Sequence, residues 1–526
     1  MWVICIYIFL ILKHKSIHNL NVFIMLTLFK RVLPGLSVIA AVFFTVSLLP
    51  LKGQEREIKI DESVTTSHEV TINGERIPYN ATAGTQPVWD DDGNPIASVF
   101  YVYYERTDVD DKSRRPIMFS FNGGPGSSSV WMHLGYTSPR FLKIDEEGYP
   151  IQPYGVVENN HSVLDVADIV YVDPVNTGFS RIVDEDVSRD EFFGVNADIA
   201  YLSEWIDAFV SRNDRWISPK YLIGESYGTT RVAGMARRLQ GSHHMFLNGV
   251  ILVSPTGLGI DRDGPVREAL SLPYYAATAW YHEALDSDMQ NQDLYDFLPE
   301  VEDFTIEEFI PALARGGSID EERREEIAKQ VSRYSGLSEK VVTNHNLAVP
   351  TSYFWKELLR DRGYTIGRLD SRYKGIDRKD AGERYDFAAE MASWNHSFAP
   401  AINHYLREQL DYETDLQYWQ IGGRVHPWDR SGDRTGENLR HAMAENPFLH
   451  MMVQAGYYDG ATDYFSAKYT MWNMDPSGRL SDRMRFEGYR SGHMMYLRHE
   501  DLETSNQHVR EFILNSIPEE GVPAKY

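Results

Sequence analysis

Residues 224–228 read Gly-Glu-Ser-Tyr-Gly, directly after the short apolar run 221–223 and before a helix-compatible segment at 229–239. Between a strand and a helix, a G-x-S-x-G sequence forms a sharp turn that lifts the serine hydroxyl off the sheet, and its small residues let strand and helix approach closely. A hydroxyl becomes a nucleophile only when an imidazole takes its proton and an acid orients that imidazole. In this setting the partners follow the serine in the order acid, then histidine. Asp459, after a strand-like run ending near Ala455, and His493, in the loop after a run ending near Glu487, supply that order for Ser226. Asp463 and His499 compete for the same roles. Asp463 reads more simply as a helix N-terminal acid favoured by the dipole, and His499, among Arg498, Glu500 and Asp501, as part of a solvated face.

Residues 122–126, Asn-Gly-Gly-Pro-Gly, follow the buried run 116–121 and make a candidate oxyanion hole. Backbone N–H groups of that turn, with the amide of Tyr227 after the nucleophile, would face the developing oxyanion. An ordinary tight turn is the alternative; a phosphate loop is excluded because no Gly-Lys-Ser/Thr follows. His243 and His244 are adjacent rather than four apart on a helix, so neither a zinc site nor any cofactor is expected.

These groups need a scaffold that fixes them, and the chain reads as one. Two alternating stretches at 58–61 and 68–77 predict edge strands or a hairpin. Strand-like runs at 97–105, 116–121, 168–172, 221–223 and 249–253 alternate with helical patterns at 196–212 and 229–239, which predicts a mostly parallel sheet with helices on both faces. Residues 265–440 are rich in helical patterns, Trp and Tyr, with few β-branched runs. A strand at 448–454, a helix at 462–472, a strand at 484–487 and a closing helix at 502–516 then complete the sheet. The expected division is a leader at 1–54, a core in two parts at 55–264 and 441–526, and a helical cap insertion at 265–440; a chain of 526 residues exceeds one ordinary core.

Lys30 and Arg31 precede an apolar run at 32–51, the pattern of a secretory signal, with Met25 as the expected true start and an uncleaved anchor as the alternative. The one cysteine, Cys5, lies in that leader, so the remainder can form no disulfide and offers no thiolate; this predicts an exported protein, periplasmic or extracellular, of bacterial type. A formal net charge of −24 without a basic stripe excludes nucleic-acid partners, and no stable membrane association is expected once the signal is cleaved.

Together, 122–129 (NGGPGSSS), 172–180 (VDPVNTGFS), 224–228 (GESYG) and 491–494 (SGHM) resemble the serine carboxypeptidases, peptidase family S10, and 272–282 (LPYYAATAWYH) is similar to bacterial members. The resemblance implies an α/β-hydrolase fold and removal of C-terminal residues from peptides with a free C-terminus, with no cofactor. It implies Ser226 as nucleophile, Asp459 and His493 as its partners, Gly124 and Tyr227 as oxyanion donors, and Asn122 and Glu225 as receivers of the substrate carboxylate. Two departures stand out. Ser127 occupies a position that is cysteine in eukaryotic members, and the second glutamate that pairs with the one before the serine is missing, His133 lying in that region instead. An acyltransferase, an esterase and a catalytically inactive binding protein on the same scaffold are the rival functions.

Overall fold

The computed structural model describes residues 56–525 except 185 and 423; the leader, Met25 and Cys5 lie outside the described residues. From Glu57 onward the chain makes one compact unit. Its centre is a sheet of nine main strands: β1 (Ser63–Ile72), β2 (Glu75–Trp89), β3 (Pro95–Arg106), β4 (Ile117–Phe121), β5 (Asp168–Val172), β6 (Lys220–Glu225), β7 (Gly249–Val253), β8 (His450–Gly456) and β9 (Met484–Tyr489). They lie side by side in the order β1-β2-β3-β5-β4-β6-β7-β8-β9, and a two-residue strand, Arg181–Ile182, pairs with β3. From β5 to β9 every neighbouring pair is parallel, whereas β1, β2 and β3 join antiparallel.

Two sequence expectations shift at the start of the sheet. Residues 58–61 form no strand, and the stretch 68–77 is two strands rather than one. Asn73 and Gly74 both have positive φ (50° and 83°), the geometry of a two-residue hairpin turn. Alternation continues through such a turn, which hid the reversal.

The parallel strands are buried on both faces, which is why they read as unbroken apolar runs. Ile117, Phe119 and Phe121 of β4 point to the side covered by α1 (Val195–Arg212) and α2 (Tyr227–Ser242), while Met118 joins the opposite side. There lie α6 (Ala389–Glu408), through Trp394, Phe398 and Ile402, and the closing helix α9 (His499–Ser516), through Leu502, Val509 and Ile513. Between β7 and β8, α3 (Leu272–Tyr281), α4 (Leu294–Phe304) and α5 (Glu321–Ser335) build a third cluster that also takes in Ala455, Tyr457 and Tyr458 at the end of β8. The residues expected as one cap insertion thus fall into different settings: α3–α5 have a core of their own, while α6 and α7 (Thr435–Glu445) cover the sheet.

Candidate functional site

Ser226 caps α2 with φ 56° and ψ −126°, a conformation sparsely populated for any residue with a side chain. The neighbouring glycines show what holds it. A Cβ on Gly224 would lie 2.2 Å from the Gly228 carbonyl oxygen, and one on Gly228 would lie 2.6 Å from that of Phe121. The turn therefore closes only with bare backbone at both flanks. Ser226 N–H donates to Val253 O at 3.0 Å. Among the described residues none hydrogen-bonds the Ser226 hydroxyl, which is half-buried beside the N-terminus of α2.

His493 and Asp459 meet each other at the ends of β9 and β8. The His493 Nδ1–H donates to Asp459 Oδ2 at 2.6 Å, with both side chains buried. Asp459 also accepts from Thr462 Oγ1 at 2.7 Å and from the Ala461 amide at 2.8 Å. Burial alone would raise its carboxyl, but the His493 charge and these hydrogen bonds outweigh it and hold Asp459 below the usual range. Burial likewise pushes His493 down, yet the charge and hydrogen bond of Asp459 leave it raised. The main chain of this histidine is fixed too: its carbonyl accepts from Ser254 Oγ at 2.8 Å and its amide donates to Leu369 O at 2.7 Å. The rivals lie elsewhere. Asp463 caps α8 (Tyr464–Met474), accepting from the Ser466 amide at 2.7 Å, and His499 opens α9, its ring against Phe141.

The glycine turn sits beside the elbow. A Cβ on Gly123 would come within 2.4 Å of the Tyr227 nitrogen, so this turn and the first amide of α2 share one small space. That amide belongs to the helix's first turn, whose N–H groups lack intrahelical acceptors and carry the positive end of the dipole. Gly124 follows with φ 102°, a value open to glycine. Two buried supports lock the turn. Arg231 of α2 donates to Asn122 O at 2.7 Å while paired with Asp198 of α1 at 2.8 Å. Asp173, from the VDPVNTGFS stretch, accepts from the Ser129 amide at 2.7 Å.

Glu225 lies beneath the serine, 2% exposed. Its Oε1 accepts from Asn122 Nδ2 at 2.8 Å and its Oε2 from the Tyr496 hydroxyl. Asn122 cannot turn over, because its Oδ1 accepts from the Met132 amide at 2.9 Å. Burial raises Glu225 to about 7, against the lowering effect of His493, Tyr496 and Asn122. His133, in the region of the missing second glutamate, is not here: it is buried between Tyr104, 2.6 Å from its Nε2, and the stacked ring of Tyr171. A phenol from the histidine loop takes the place beside Glu225 instead. Tyr496, Thr462, Ser254 and Leu369 escaped the sequence reading. Tyr496 stands three residues after His493 and Thr462 three after Asp459, but the residue types alone carry no signal.

Among the described residues no cluster of His, Cys, Asp and Glu is suited to a metal ion, and no helix is long and apolar enough to cross a membrane.

The fold defines the class: an α/β hydrolase whose parallel strands bring a serine elbow, a glycine turn and a His–Asp pair to their C-terminal ends. More particularly, the chain belongs to the serine carboxypeptidase family, whose family model matches residues 84–399, more than half of the chain. That match contains Ser226, Glu225, Asn122 and Gly124 but ends before Asp459 and His493. Among curated relatives, serine carboxypeptidase-like 47 of Arabidopsis thaliana is 31% identical over 28% of this chain and 27% of its own length. The retinoid-inducible serine carboxypeptidase of Rattus norvegicus is 28% identical over 33% and 35%. The chain thus spans roughly a third of the length of the curated relatives it matches. Among solved structures, the prohormone-processing carboxypeptidase KEX1(delta)p of Saccharomyces cerevisiae superposes with a TM-score of 0.51 at 15% identity, covering 84% of this chain and 93% of that one. These relatives are plant, mammalian and fungal proteins, so the bacterial-type expectation finds no support in them.

Proposed function

We propose that the protein is a serine carboxypeptidase that releases C-terminal residues from peptides through an acyl-enzyme on Ser226. His493 takes the hydroxyl proton as Ser226 attacks the last peptide carbonyl, then delivers it to the leaving amine, while Asp459 holds the ring and its tautomer. The amides of Gly124 and Tyr227 face the oxyanion. Water, activated by the same imidazole, then resolves the ester. Asn122 and Glu225 receive the substrate carboxylate, which can lie against Glu225 only when one proton is shared, since two adjacent carboxylates repel. Helices α3–α5 act as the cap that rims the pocket, and a cleaved signal in residues 1–54 exports the chain.

The observation that carries this reading is the buried, doubly hydrogen-bonded Glu225 immediately before the serine, a carboxyl that hydrolysis of a simple ester does not require. The test is to incubate one peptide, with a free or an amidated C-terminus, and follow it by mass spectrometry. Stepwise loss from the free form alone is expected. Internal cleavage, or no cleavage while a fluorophosphonate still labels Ser226, would replace the proposal by an esterase or acyltransferase on the same scaffold.

A further inference from the structure

The end of β7 reaches all three members of the triad. Val253 O accepts from the Ser226 amide at 3.0 Å. A few residues on, the Thr256 amide donates to Thr229 Oγ1 at 3.1 Å, and that hydroxyl donates to Ser226 O at 2.6 Å. The main chain of the nucleophile is thus tied to 253–256 through both its amide and its carbonyl. Between these ties lies Ser254. Its hydroxyl donates to His493 O at 2.8 Å, and its own carbonyl lies 2.9 Å from Thr462 Oγ1, whose one hydrogen is shared with Asp459 Oδ2 at 2.7 Å.

The backbone at Ser254 is strained. Its φ of 46° lies in the left-handed region that favours glycine over any residue with a Cβ. The residue is also fully buried, with its amide on Gln454 O at 2.7 Å, so its hydroxyl does not serve to meet water. Glycine would suit this backbone and alanine this burial; what serine adds is a donor for His493. The histidine loop is held from its other side by main-chain bonds. Leu369 O accepts from the His493 amide at 2.7 Å, Arg368 O from the Gly460 amide at 2.9 Å, and the Ser371 amide donates to Tyr458 O at 3.0 Å. Among the described residues, Ser254 supplies the side chain that bonds the His493 main chain.

We infer that Ser254 is a positioning residue, whose hydroxyl sets the His493 imidazole against Ser226 by tying the histidine's carbonyl to the strand that also holds the serine. The inference rests on the reading of Ser226, His493 and Asp459 as a triad and not on a peptide as the substrate. Without that donor the buried carbonyl is left unpaired and the loop is free to shift, and a small displacement of the base slows proton transfer.

The test measures the rate of fluorophosphonate labelling at Ser226, kcat and KM for a free-carboxyl peptide, and the melting temperature of each variant. Ser254→Ala and Ser254→Gly are both expected to label about tenfold more slowly, the order of one lost hydrogen bond. Their kcat should fall by the same factor while KM stays within about twofold of the wild type. Ser254→Gly relieves the strained φ and should melt above Ser254→Ala, yet be equally slow, which separates the hydroxyl from the backbone. Ser254→Cys, a weaker donor, should recover part of the rate. Labelling of Ser254→Gly at the wild-type rate overturns the inference, as does a rise in KM with kcat intact. Labelling of the wild type without release from any peptide would remove the carboxypeptidase reading and leave the labelling rates to decide on Ser254. No labelling of the wild type would bring down the triad and this inference with it.

Discussion

In the proposed mechanism Glu225 must be neutral to accept a carboxylate beside it, and its value of about 7 makes that neutrality a matter of working pH. Raised in the fold, the group favours its protonated form, so what it contributes is complete below the unfolded value near 4.5 and is lost as pH rises through about 7. His493, also raised, must instead lose its proton to act as a base. For free-carboxyl peptides, kcat/KM should therefore fall on the acid side with His493 and on the alkaline side near pH 7 with Glu225; a simple ester should show the acid limb alone. Glu225→Gln keeps the shape and cannot ionise, so pH profiles of that variant should lack the alkaline limb. Tyr496→Phe removes a donor that favours the charged form, so the limb should move to higher pH; an unmoved limb would show that the phenol is only filling space. Ser226→Ala should abolish turnover and fluorophosphonate labelling while leaving the melting temperature near that of the wild type. At this scale the motif residues were legible because serine, glycine and histidine have few substitutes in such chemistry. Tyr496 was not, since a buried tyrosine looks alike whether it fills space or caps a carboxyl.

The elbow works as an element because strand β6, helix α2 and the turn at 122–126 meet backbone to backbone. Gly224→Ala should cost about 3 kcal/mol or more in chemical denaturation, since the clash is with a carbonyl that cannot move aside. Asp198→Ala should cost a similar ~3–5 kcal/mol, because it leaves Arg231 buried without its charge partner beneath the same turn. The strands of this region were legible as apolar runs, and α1, α2 and α9 as periodic patterns with ends displaced by at most three residues. A hairpin was expected here, but its turn was misplaced because period-two alternation is blind to a reversal at Asn73–Gly74. The stitching of 368–371 to the triad loops was beyond reach: those bonds are made by main-chain atoms, which every residue type carries.

Over the whole molecule, the class of fold followed from strand–helix alternation and the order of four motifs, and the family match agrees with it. The placing of 265–440 did not follow, because helices that build a separate core and helices that cover a sheet share one apolar periodicity. Stability must come from packing, as the chain has a single cysteine and can close no disulfide within itself. Thermal melting with and without a thiol reductant should give the same midpoint, and a shift would point to a disulfide between two chains.

The bonds from 368–371 to Tyr458, Gly460 and His493 also bear on attempts to re-engineer the protein. Exchanging α3–α5 and their connections for a relative's segment is not the swap of a lid on a finished catalyst. A chimera joined downstream of 371 would hand the acceptor of the His493 amide to a foreign backbone segment. The productive junction lies before 367, so that graft recipients keep the native clamp and change only what the substrate meets.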